Sequence, residues 1–414
     1  MITKISFLMV LFWSIFLSAC GSGYDQNQSE NSSSSLFSQC ENTFIVSGSR
    51  KIYLFEHQSE SVEFDQLAVF NDWAPLSAFL DCANNRIIAP YGARKDNRNN
   101  SGVMIVDLKS GIKTEYPLDT KGIQGIPVKY DNGILLSTTL LNQTKPSKIP
   151  PAYGYLPPGE RYMDARGGDY RLFASTVFFD LSRLQFTREL DLDLGYSVIQ
   201  DDILYAKQRG AITAINLQSK TTDVLYQSTV NSTTGEVKNN PLNHLSVFLD
   251  AEYYMVLNRQ SQNNSRGQLE GFEDSALYKL EKGSMVKVTN LPYDDAVYLL
   301  GLDSKLYIFT DSFKIIEYDL NTKKVVEREL PYSKEIVGYS IESVGYTHQN
   351  FIVALDNQRT DISSKVILIS RDFSQASAPQ VVDLRLISVT SNLAIDTSDS
   401  RGVQLPVHQS SSLN

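Results

Sequence analysis

Short runs of alternating apolar and polar residues recur along the chain from about residue 40, and helical periodicity is almost absent there. Many of these runs form a hairpin pattern, in which an apolar strand, a polar turn and a second apolar strand follow one another. Seven copies are centred on Asp81, Asp131, Asp201, Asp250, Asp303, His348 and Ser391, with separations of 50, 70, 49, 53, 45 and 43 residues. This pattern predicts β-structure throughout the body of the protein.

A second hairpin follows each copy of the first, and its opening strand ends in Asp-Leu or Asn-Leu before a polar turn. The clearest copies are VMIVDLKSG, TVFFDLSRL, AITAINLQSK and KIIEYDLNTK, and weaker copies bring the number to seven. A repeat of about 40–50 residues with four short strands is typical of a β-propeller blade. We name the strands of each repeat A, B, C and D in the order from the ring centre outward.

The order of the pieces predicts a closed ring. Residues 51–66 match the outer half of a blade and residues 385–396 match an inner half, so pairing them removes the open sheet edges. The second strand of the blade that closes the ring is either residues 393–396 or residues 44–47. The sequence therefore predicts an all-β fold, a seven-bladed β-propeller closed by pairing of its N- and C-terminal strands. Six or eight blades, or two stacked β-sandwiches, are the alternatives.

Composition narrows the class of protein. The chain has 414 residues, 42% of them hydrophobic and 21% charged, which excludes collagen, a coiled coil and a wholly disordered chain. The 22 Tyr and 19 Phe against 2 Trp suit pleated strands. The formal net charge of −9 makes the chain a poor general nucleic-acid binder.

The N-terminal segment is a targeting signal. Lys4 precedes an apolar run, Ile5 to Leu17, that is too short to span a bilayer comfortably. It ends in Leu17-Ser18-Ala19-Cys20, which resembles the lipobox of bacterial lipoproteins. The resemblance implies cleavage before Cys20, lipidation of Cys20 and, because Gly21 is not Asp, an outer-membrane location facing the periplasm or the cell surface. An ordinary secretory signal with a chance cysteine is the alternative.

These features divide the chain into four parts. Residues 1–19 are the signal peptide, 20–42 a lipidated cysteine with a flexible tether, 43–396 the propeller and 397–414 a loose C-terminal tail. The mature chain retains Cys40 and Cys82, and an oxidising compartment favours a disulfide between them over two free thiols.

The repeat pattern of residues 43–396 resembles the YVTN-like and quinoprotein-like propellers of secreted bacterial proteins. The tryptophan docking motif of quinoprotein blades, Ala-x-Asp…Thr-Gly…Trp, is missing from this sequence. This departure argues against the outer-membrane assembly lipoprotein that is built on such blades.

The long connections between strands gather on one face of the predicted propeller. They lie between strands B and C at residues 92–102, 142–175, 258–275 and 357–365, with a long D–A link at residues 228–243. B–C loops and D–A links emerge on the same face, and loops on a rigid scaffold commonly carry binding function. We call it the loop-bearing face.

Arginines recur in these loops and suggest a ring that receives an anionic or carbonyl-rich partner. In the longest loop, five prolines oppose regular structure, and tyrosines alternate with Gly and Arg, as at protein interfaces. The predicted partner-binding residues are Arg94, Arg98, Tyr153, Tyr155, Arg161, Arg166, Arg209, Arg259 and Arg359. The alternatives are that the arginines pair with nearby carboxylates and that the tyrosines pack onto their own blade.

Signals for catalysis are few. The four histidines show no metal-ligand spacing, and no nucleophile elbow or phosphate-binding loop is present. Asp191 and Asp193 could hold Ca²⁺ but are more typical of a solvated strand end. We therefore expect no catalytic residue, no metal and no cofactor, and a non-catalytic module that binds an envelope protein or an anionic glycan. The alternative is a lactonase, hydrolase or lyase acting on a sugar acid.

Overall fold

The computed structural model describes residues 43–48, 51–58, 61–69, 73–75, 78–81, 84–93, 101–118, 122–123, 127–142, 160–165, 168–190, 196–200, 202–208, 211–228, 244–250, 252–257, 275–347, 349–357, 364–382, 388–390 and 403–405. Within these ranges the regular structure is β-strand, with a single residue, Asn84, in a 3₁₀ turn. No described helix is long and apolar enough to cross a membrane.

The strands are short and follow the predicted hairpins. In the first half of the chain they are β1 Thr43–Gly48, β2 Lys51–Gln58, β3 Ser61–Val69, β4 Trp73–Pro75, β5 Phe79–Asp81, β6 Arg86–Ala93, β7 Ser101–Asp107, β8 Lys113–Leu118, β9 Gly122–Ile123, β10 Val128–Tyr130, β11 Gly133–Asn142, β12 Glu160–Ala165, β13 Gly168–Asp180, β14 Gln185–Leu190, β15 Tyr196–Gln200 and β16 Ile203–Gln208.

The second half repeats the same arrangement. Its strands are β17 Ala211–Asn216, β18 Thr222–Gln227, β19 Leu245–Leu249, β20 Glu252–Leu257, β21 Ala276–Glu281, β22 Ser284–Asn290, β23 Ala296–Leu302, β24 Lys305–Thr310, β25 Lys314–Asp319, β26 Val325–Glu329, β27 Ser340–Tyr346, β28 Asn350–Asp356, β29 Ser364–Ser370, β30 Gln380–Val382, β31 Ser388–Thr390 and β32 Val403–Leu405.

The described strands form seven antiparallel sheets, which we number in chain order. Sheet 1 is β31-β1-β2-β3, sheet 2 is β4-β6-β7-β8 with β5 beside β6, and sheet 3 is β10-β11-β13-β12 with β9 beside β11 and β14 beside β13. Sheet 4 is β15-β16-β17-β18, sheet 5 is β32-β19-β20-β21-β22, sheet 6 is β23-β24-β25-β26, and sheet 7 is β27-β28-β29-β30. The alternation of first and second hairpins read from the sequence thus reappears as four-stranded units.

The two ends of the propeller body meet in sheet 1. Strand β31 pairs antiparallel with β1, in a register that places Ile45 opposite Thr390 and Ser47 opposite Ser388. Residues 44–47 therefore occupy the second-strand position, which the sequence had left open between them and residues 393–396. The predicted pairing of N- and C-terminal strands is present.

Side chains from facing sheets fill the space between neighbours. Phe44 and Phe55 of sheet 1 pack with Ile352 and Leu368 of sheet 7, so the first and last sheets share one hydrophobic cluster. Similar clusters join sheets 2 and 3, 3 and 4, 4 and 5, 5 and 6, and 6 and 7. Strands β1 and β4, from sheets 1 and 2, are also in contact. This arrangement of sheets around a centre confirms the predicted all-β propeller.

The Asp-Leu and Asn-Leu pairs of the second hairpin have a structural reason. The Asp107 side chain accepts hydrogen bonds from the backbone N–H groups of Lys109 (3.0 Å) and Ser110 (2.7 Å), which closes the turn. Asp180, Asn216 and Asp319 accept the equivalent pairs of bonds. The following Leu donates its backbone N–H to the first-hairpin turn of the same sheet, as Leu108 to Asn85, Leu181 to Asn132, Leu217 to Asp202 and Leu320 to Ser304.

Two predicted irregular segments contain strands. Part of the longest loop forms β12 and the first half of β13, and β13 pairs with β11 as far as Asn142 opposite Arg171. The five prolines of this loop all lie within residues 146–158 and leave 160–180 free to form a ladder. Within the predicted loose tail, Val403–Leu405 form β32 on the edge of β19, where backbone groups have a partner to pair with.

We predict that the Asx turns stabilise the fold through their carboxylates. Hydrogen bonds from the Thr322 backbone hold the pKa of Asp319 below its usual value. Asp319→Ala should therefore lower the free energy of unfolding at neutral pH, measured by urea denaturation. The difference from the wild type should narrow as pH falls below about 4, because a depressed folded-state pKa contributes stability that acid removes.

Asp319→Asn is the matched control, because Asn216 closes the same turn in sheet 4. This variant should remain close to the wild type at neutral pH. An Asp319→Ala protein as stable as the Asn variant at pH 7 would contradict the role assigned to the turn.

Candidate functional site

The loop-bearing face is where each B strand ends, each C strand begins and each link enters the next sheet. The opposite face carries the tight A–B turns and the Asx-closed C–D turns. Among the described strands, β11 with 10 residues and β13 with 13 are the longest, and they extend toward the loop-bearing face. Strand β12 pairs with this extension, with Arg161 opposite Leu172. The described part of the protein is therefore elaborated on one face.

Of the predicted partner-binding residues, Arg161 is described, as a member of β12. The others lie outside the described residues and remain predictions: Arg94, Arg98, Tyr153, Tyr155, Arg166, Arg209, Arg259 and Arg359. The same holds for Cys20, Cys40, Cys82, Asp191 and Asp193. The strands that flank Arg209, Arg259 and Arg359 are β16, β20 and β28, which are the B strands of three different sheets.

Carboxylates that the sequence analysis did not single out occupy the same face in sheet 6. Asp295, in the link before β23, accepts a hydrogen bond from the Ser312 backbone N–H at 2.6 Å. Asp311, in the turn after β24, donates its backbone N–H to the carbonyl of Asp295. Burial, and then the Asp295 charge, raise the pKa of Asp311. These two acids thus lie together at the edge of the loop-bearing face.

A second acidic pair lies at the same end of sheet 7. Asp356 ends β28 and accepts a hydrogen bond from the Ser364 hydroxyl at 3.0 Å, across the B–C opening. Burial, and then the Asp356 charge, raise the pKa of Glu342 in β27. Sequence position could have identified Asp311 and Asp356. Both stand at or just after the end of a B strand, as Arg209, Arg259 and Arg359 do.

Sheet 4 contributes a buried cation to this face. Lys207 lies one residue before the end of β16, and its side chain is completely buried. Its Nζ donates to the His244 carbonyl (2.9 Å) and to the Ser246 hydroxyl (3.0 Å), at the start of sheet 5. Among the described residues, no carboxylate forms an ion pair with it. Burial lowers the pKa of Lys207 from 10.5 to about 7.

His244 is itself buried, and the contact just described uses its backbone carbonyl. No group of three or more His, Cys, Asp or Glu residues that could hold a metal ion occurs within the described ranges. The described geometry therefore offers two acidic pairs, in which the pKa of Asp311 and the pKa of Glu342 are raised, and a buried lysine, together with a loop-rich surface.

No family model matches the chain, and no curated protein matches it in sequence. Solved structures match it in fold. A structure of oligogalacturonate lyase in complex with manganese is 10% identical, covers 82% of this chain and 89% of its own, and gives a TM-score of 0.50. The chain is a β-propeller. At this identity the likeness shows the fold and does not extend to activity or metal.

Two further structures are similar over most of their lengths. An oligogalacturonate lyase from Vibrio parahaemolyticus is 10% identical over 81% of this chain and 93% of its own, with a TM-score of 0.47. The β-propeller domain of Cps50 (Swd1) from Myceliophteria thermophila is 8% identical over 76% and 88%, with a TM-score of 0.43.

We predict that Lys207 makes the stability of the protein depend on pH. Because its folded-state pKa lies below its unfolded value, the unfolded chain binds more protons between about pH 7 and pH 10.5. The free energy of unfolding should therefore rise with pH in this window, by about 2–3 kcal/mol from pH 7.5 to 9.5. In Lys207→Met this rise should be lost, as measured by urea denaturation at both pH values.

The matched control is Lys324→Met, in an exposed turn on the opposite face, which should retain the rise because Lys207 is intact. The same slope in Lys207→Met and the control would contradict the assignment. A difference in the free energy of unfolding that is the same at both pH values would not contradict it, because Lys207→Met also removes two buried hydrogen bonds.

Proposed function

We propose that this protein is a membrane-anchored envelope lipoprotein whose propeller is a non-catalytic binding or scaffolding module. Its partner would be an envelope protein or an anionic glycan, held at the loop-bearing face. The single observation that supports this proposal best is the asymmetry of the two faces. Tight turns close one face, whereas the other carries the long connections and the extended β11–β13 ladder. Such asymmetry is typical of a rigid scaffold that presents loops to a partner.

In this proposal each of the seven sheets is one blade, and β31 with β1 closes the ring. Six or eight blades remain the alternatives. Acylation of Cys20, with the tether of residues 21–42, would hold the ring near the outer membrane without a membrane-spanning helix. A disulfide between Cys40 and Cys82 is also part of the proposal, because an envelope compartment is oxidising.

The longest B–C insertion is proposed as the principal docking element. The ladder of β11 and β13 continues to Asn142 opposite Arg171, and β12 adds a third strand to it. A supported hairpin lowers the entropy lost on binding, in comparison with an unsupported loop of the same length. Tyr153 and Tyr155 lie in the connection between β11 and β12, and Arg161 lies in β12.

The arginines would act beside carboxylates of the same face. Burial raises the pKa of Asp311 and of Glu342, and each lies beside a further carboxylate, Asp295 and Asp356. An anionic partner would have to compete with these acids for the arginines. Arg209, Arg259 and Arg359 belong to other sheets than the hairpin, so their contribution to binding can be measured separately from that of the hairpin.

We predict that a shortened hairpin loses the partner. The register offers a clean cut, because Thr139 faces Ala174 and both pairs between β9 and β11 lie on the kept side. Residues 140–173 are replaced by Asn-Gly, which forms a two-residue β-turn. Crosslinking of the acylated protein in its own envelope should capture a stoichiometric protein with the intact chain and not with this variant.

Two controls accompany this experiment. The shortened protein must unfold cooperatively as the wild type does, and Cys20→Ser must leave the membrane fraction if the anchor is as proposed. Equal capture by both forms would overturn the docking role of the hairpin. Capture by neither form would exclude an envelope protein partner and leave anionic glycans to be tested by direct binding.

We predict that Arg209, Arg259 and Arg359 together strengthen binding of an anionic partner. Their simultaneous replacement by Ala should weaken binding at least about tenfold and reduce its salt dependence, measured by titration at two ionic strengths. The control removes the same charge from the opposite face, by Lys109→Ala, Arg183→Ala and Lys324→Ala in exposed C–D turns. Equal effects of the two triple variants would show that net charge alone is responsible.

An enzyme acting on a sugar acid is the second candidate, and the raised pKa values of Asp311 and Glu342 favour it. Burial and a neighbouring like charge are the means by which enzymes raise the pKa of a carboxyl group that acts as a general acid. If the protein hydrolysed or cleaved lactones or uronate glycans at the loop-bearing face, Asp311 and Glu342 would be the first residues to replace in a test for loss of activity.

A further inference from the structure

Sheet 5 has an additional strand on the inner side of its first strand. Among the described strands, the first strand of sheets 4, 6 and 7 has one hydrogen-bonded neighbour, whereas β19 of sheet 5 has two, β20 and β32. The register of β32 is antiparallel, with Val403 opposite Phe248, Gln404 opposite Val247 and Leu405 opposite Ser246. A segment more than 150 residues away in the sequence thus occupies the inner edge of β19.

The location of β32 is at the centre of the ring. Besides β19 it contacts β15 and β23, which are the first strands of the sheets on either side. The inner edges of first strands line the middle of a propeller. Strand β32 therefore lies within the central opening, next to three sheets.

Both side-chain faces of β19 are already used by neighbouring sheets. Leu245, Val247 and Leu249 pack into the cluster shared with sheet 6. Phe248 packs against Tyr205 of sheet 4 in a tilted arrangement, with ring centroids 4.3 Å apart, and Ser246 accepts the hydrogen bond from Lys207. What β19 offers toward the centre is its backbone edge, which binds an extended chain by main-chain hydrogen bonds.

Within the described residues, the pairing with β32 covers part of this edge. Strand β19 has five residues, and three of them are opposite the described residues of β32. Pro406 follows β32 and lacks the N–H that would continue the ladder. A longer extended peptide has room to pair along all five residues of β19.

We propose that the inner edge of β19 is a binding site for an extended peptide, which adds to sheet 5 as a β-strand, and that Val403–Leu405 is its tethered occupant. A peptide partner binds by displacing the C-terminal segment, which acts as an internal competitor. This site is separate from the loop-bearing face and does not depend on the function proposed for it.

The test uses the full chain and a variant ending at Gly402. The probe is a fluorescent peptide of residues 401–408, RGVQLPVH. Fluorescence anisotropy should show that the truncated protein binds the probe at least about tenfold more tightly than the full chain, because the tethered segment competes at a high effective concentration. The control probe has Pro in place of Gln404 and should not bind to either protein.

Hydrogen exchange gives an independent readout at the strand itself. Backbone amides of residues 245–249 should exchange faster in the truncated protein, and the probe should restore their protection. The backbone amides of the hairpin turns on the face opposite the loop-bearing face serve as the internal reference for the exchange rates. Unchanged exchange together with no gain in probe binding would overturn the proposal.

A second variant separates displacement from loss of the fold. Gln404→Pro keeps the full chain but removes a backbone N–H from the three-residue strand, so it should behave as the truncated protein does. If both variants fail to unfold cooperatively, β32 is an integral structural strand and the proposal is wrong. If Gln404→Pro folds and binds the probe no better than the wild type, the proposal is also wrong.

Discussion

The sheets of this protein are apolar on both faces, and a sheet cannot bury two faces by itself. In β24, Leu306 and Ile308 point into the cluster shared with sheet 5, while Tyr307 and Phe309 point into the cluster shared with sheet 7. Each fully buried side chain of this size contributes about 1.5–3 kcal/mol, whereas an exposed ion pair contributes about 0–1 kcal/mol. Burial of both faces of every sheet therefore contributes more to stability than surface ion pairs do. A closed ring buries both faces of all the sheets.

Closure then depends on the two ends of the chain. Sheet 1 takes its first strand, β31, from the C-terminal end and its other three from the N-terminal end. One face of sheet 1 packs against sheet 7 through Phe44 and Phe55, whose rings also stack with centroids 4.9 Å apart. The strand pair β1–β31 consequently links the burial of the first sheet to that of the last.

A rigid ring of this kind leaves two regions free to vary. The loop-bearing face can accept insertions without disturbing the clusters, as the β11–β13 ladder with β12 shows. The centre can accept an additional strand, because the first strands turn their side chains into the clusters and their backbone edges inward. Lys207 belongs to both regions, since it joins sheet 4 to the link entering sheet 5 and also contacts Ser246 of β19. A buried cation at this position makes the join between the two sheets sensitive to proton concentration.

Local pattern was sufficient to predict most of the fold. Hairpin periodicity depends on neighbouring residues, and the Asp-Leu pairs encode a turn within a few positions, so the strands, the four-stranded units and the all-β propeller could be predicted. The chain ends could be matched because each resembled half of a repeat. The lipobox resemblance and the loop arginines stay predictions, since they lie in segments that the described structure does not include, apart from Arg161.

Tertiary structure alone decided which residues from distant parts of the chain meet. No local signal places Val403–Leu405 beside β19, because an edge strand binds through its backbone and three residues of any extended segment would fit. Nor does the sequence around Lys207 show that this residue is buried, since the groups that enclose it come from sheet 5. The acidic pairs Asp295–Asp311 and Glu342–Asp356 differ in this respect, because each lies at the open end of a single A–B hairpin and follows from the register of that hairpin. The sequence by itself determined the repeat and its turns, which rest on local hydrogen bonds and side-chain alternation, while contacts across sheets exist only once the ring has formed.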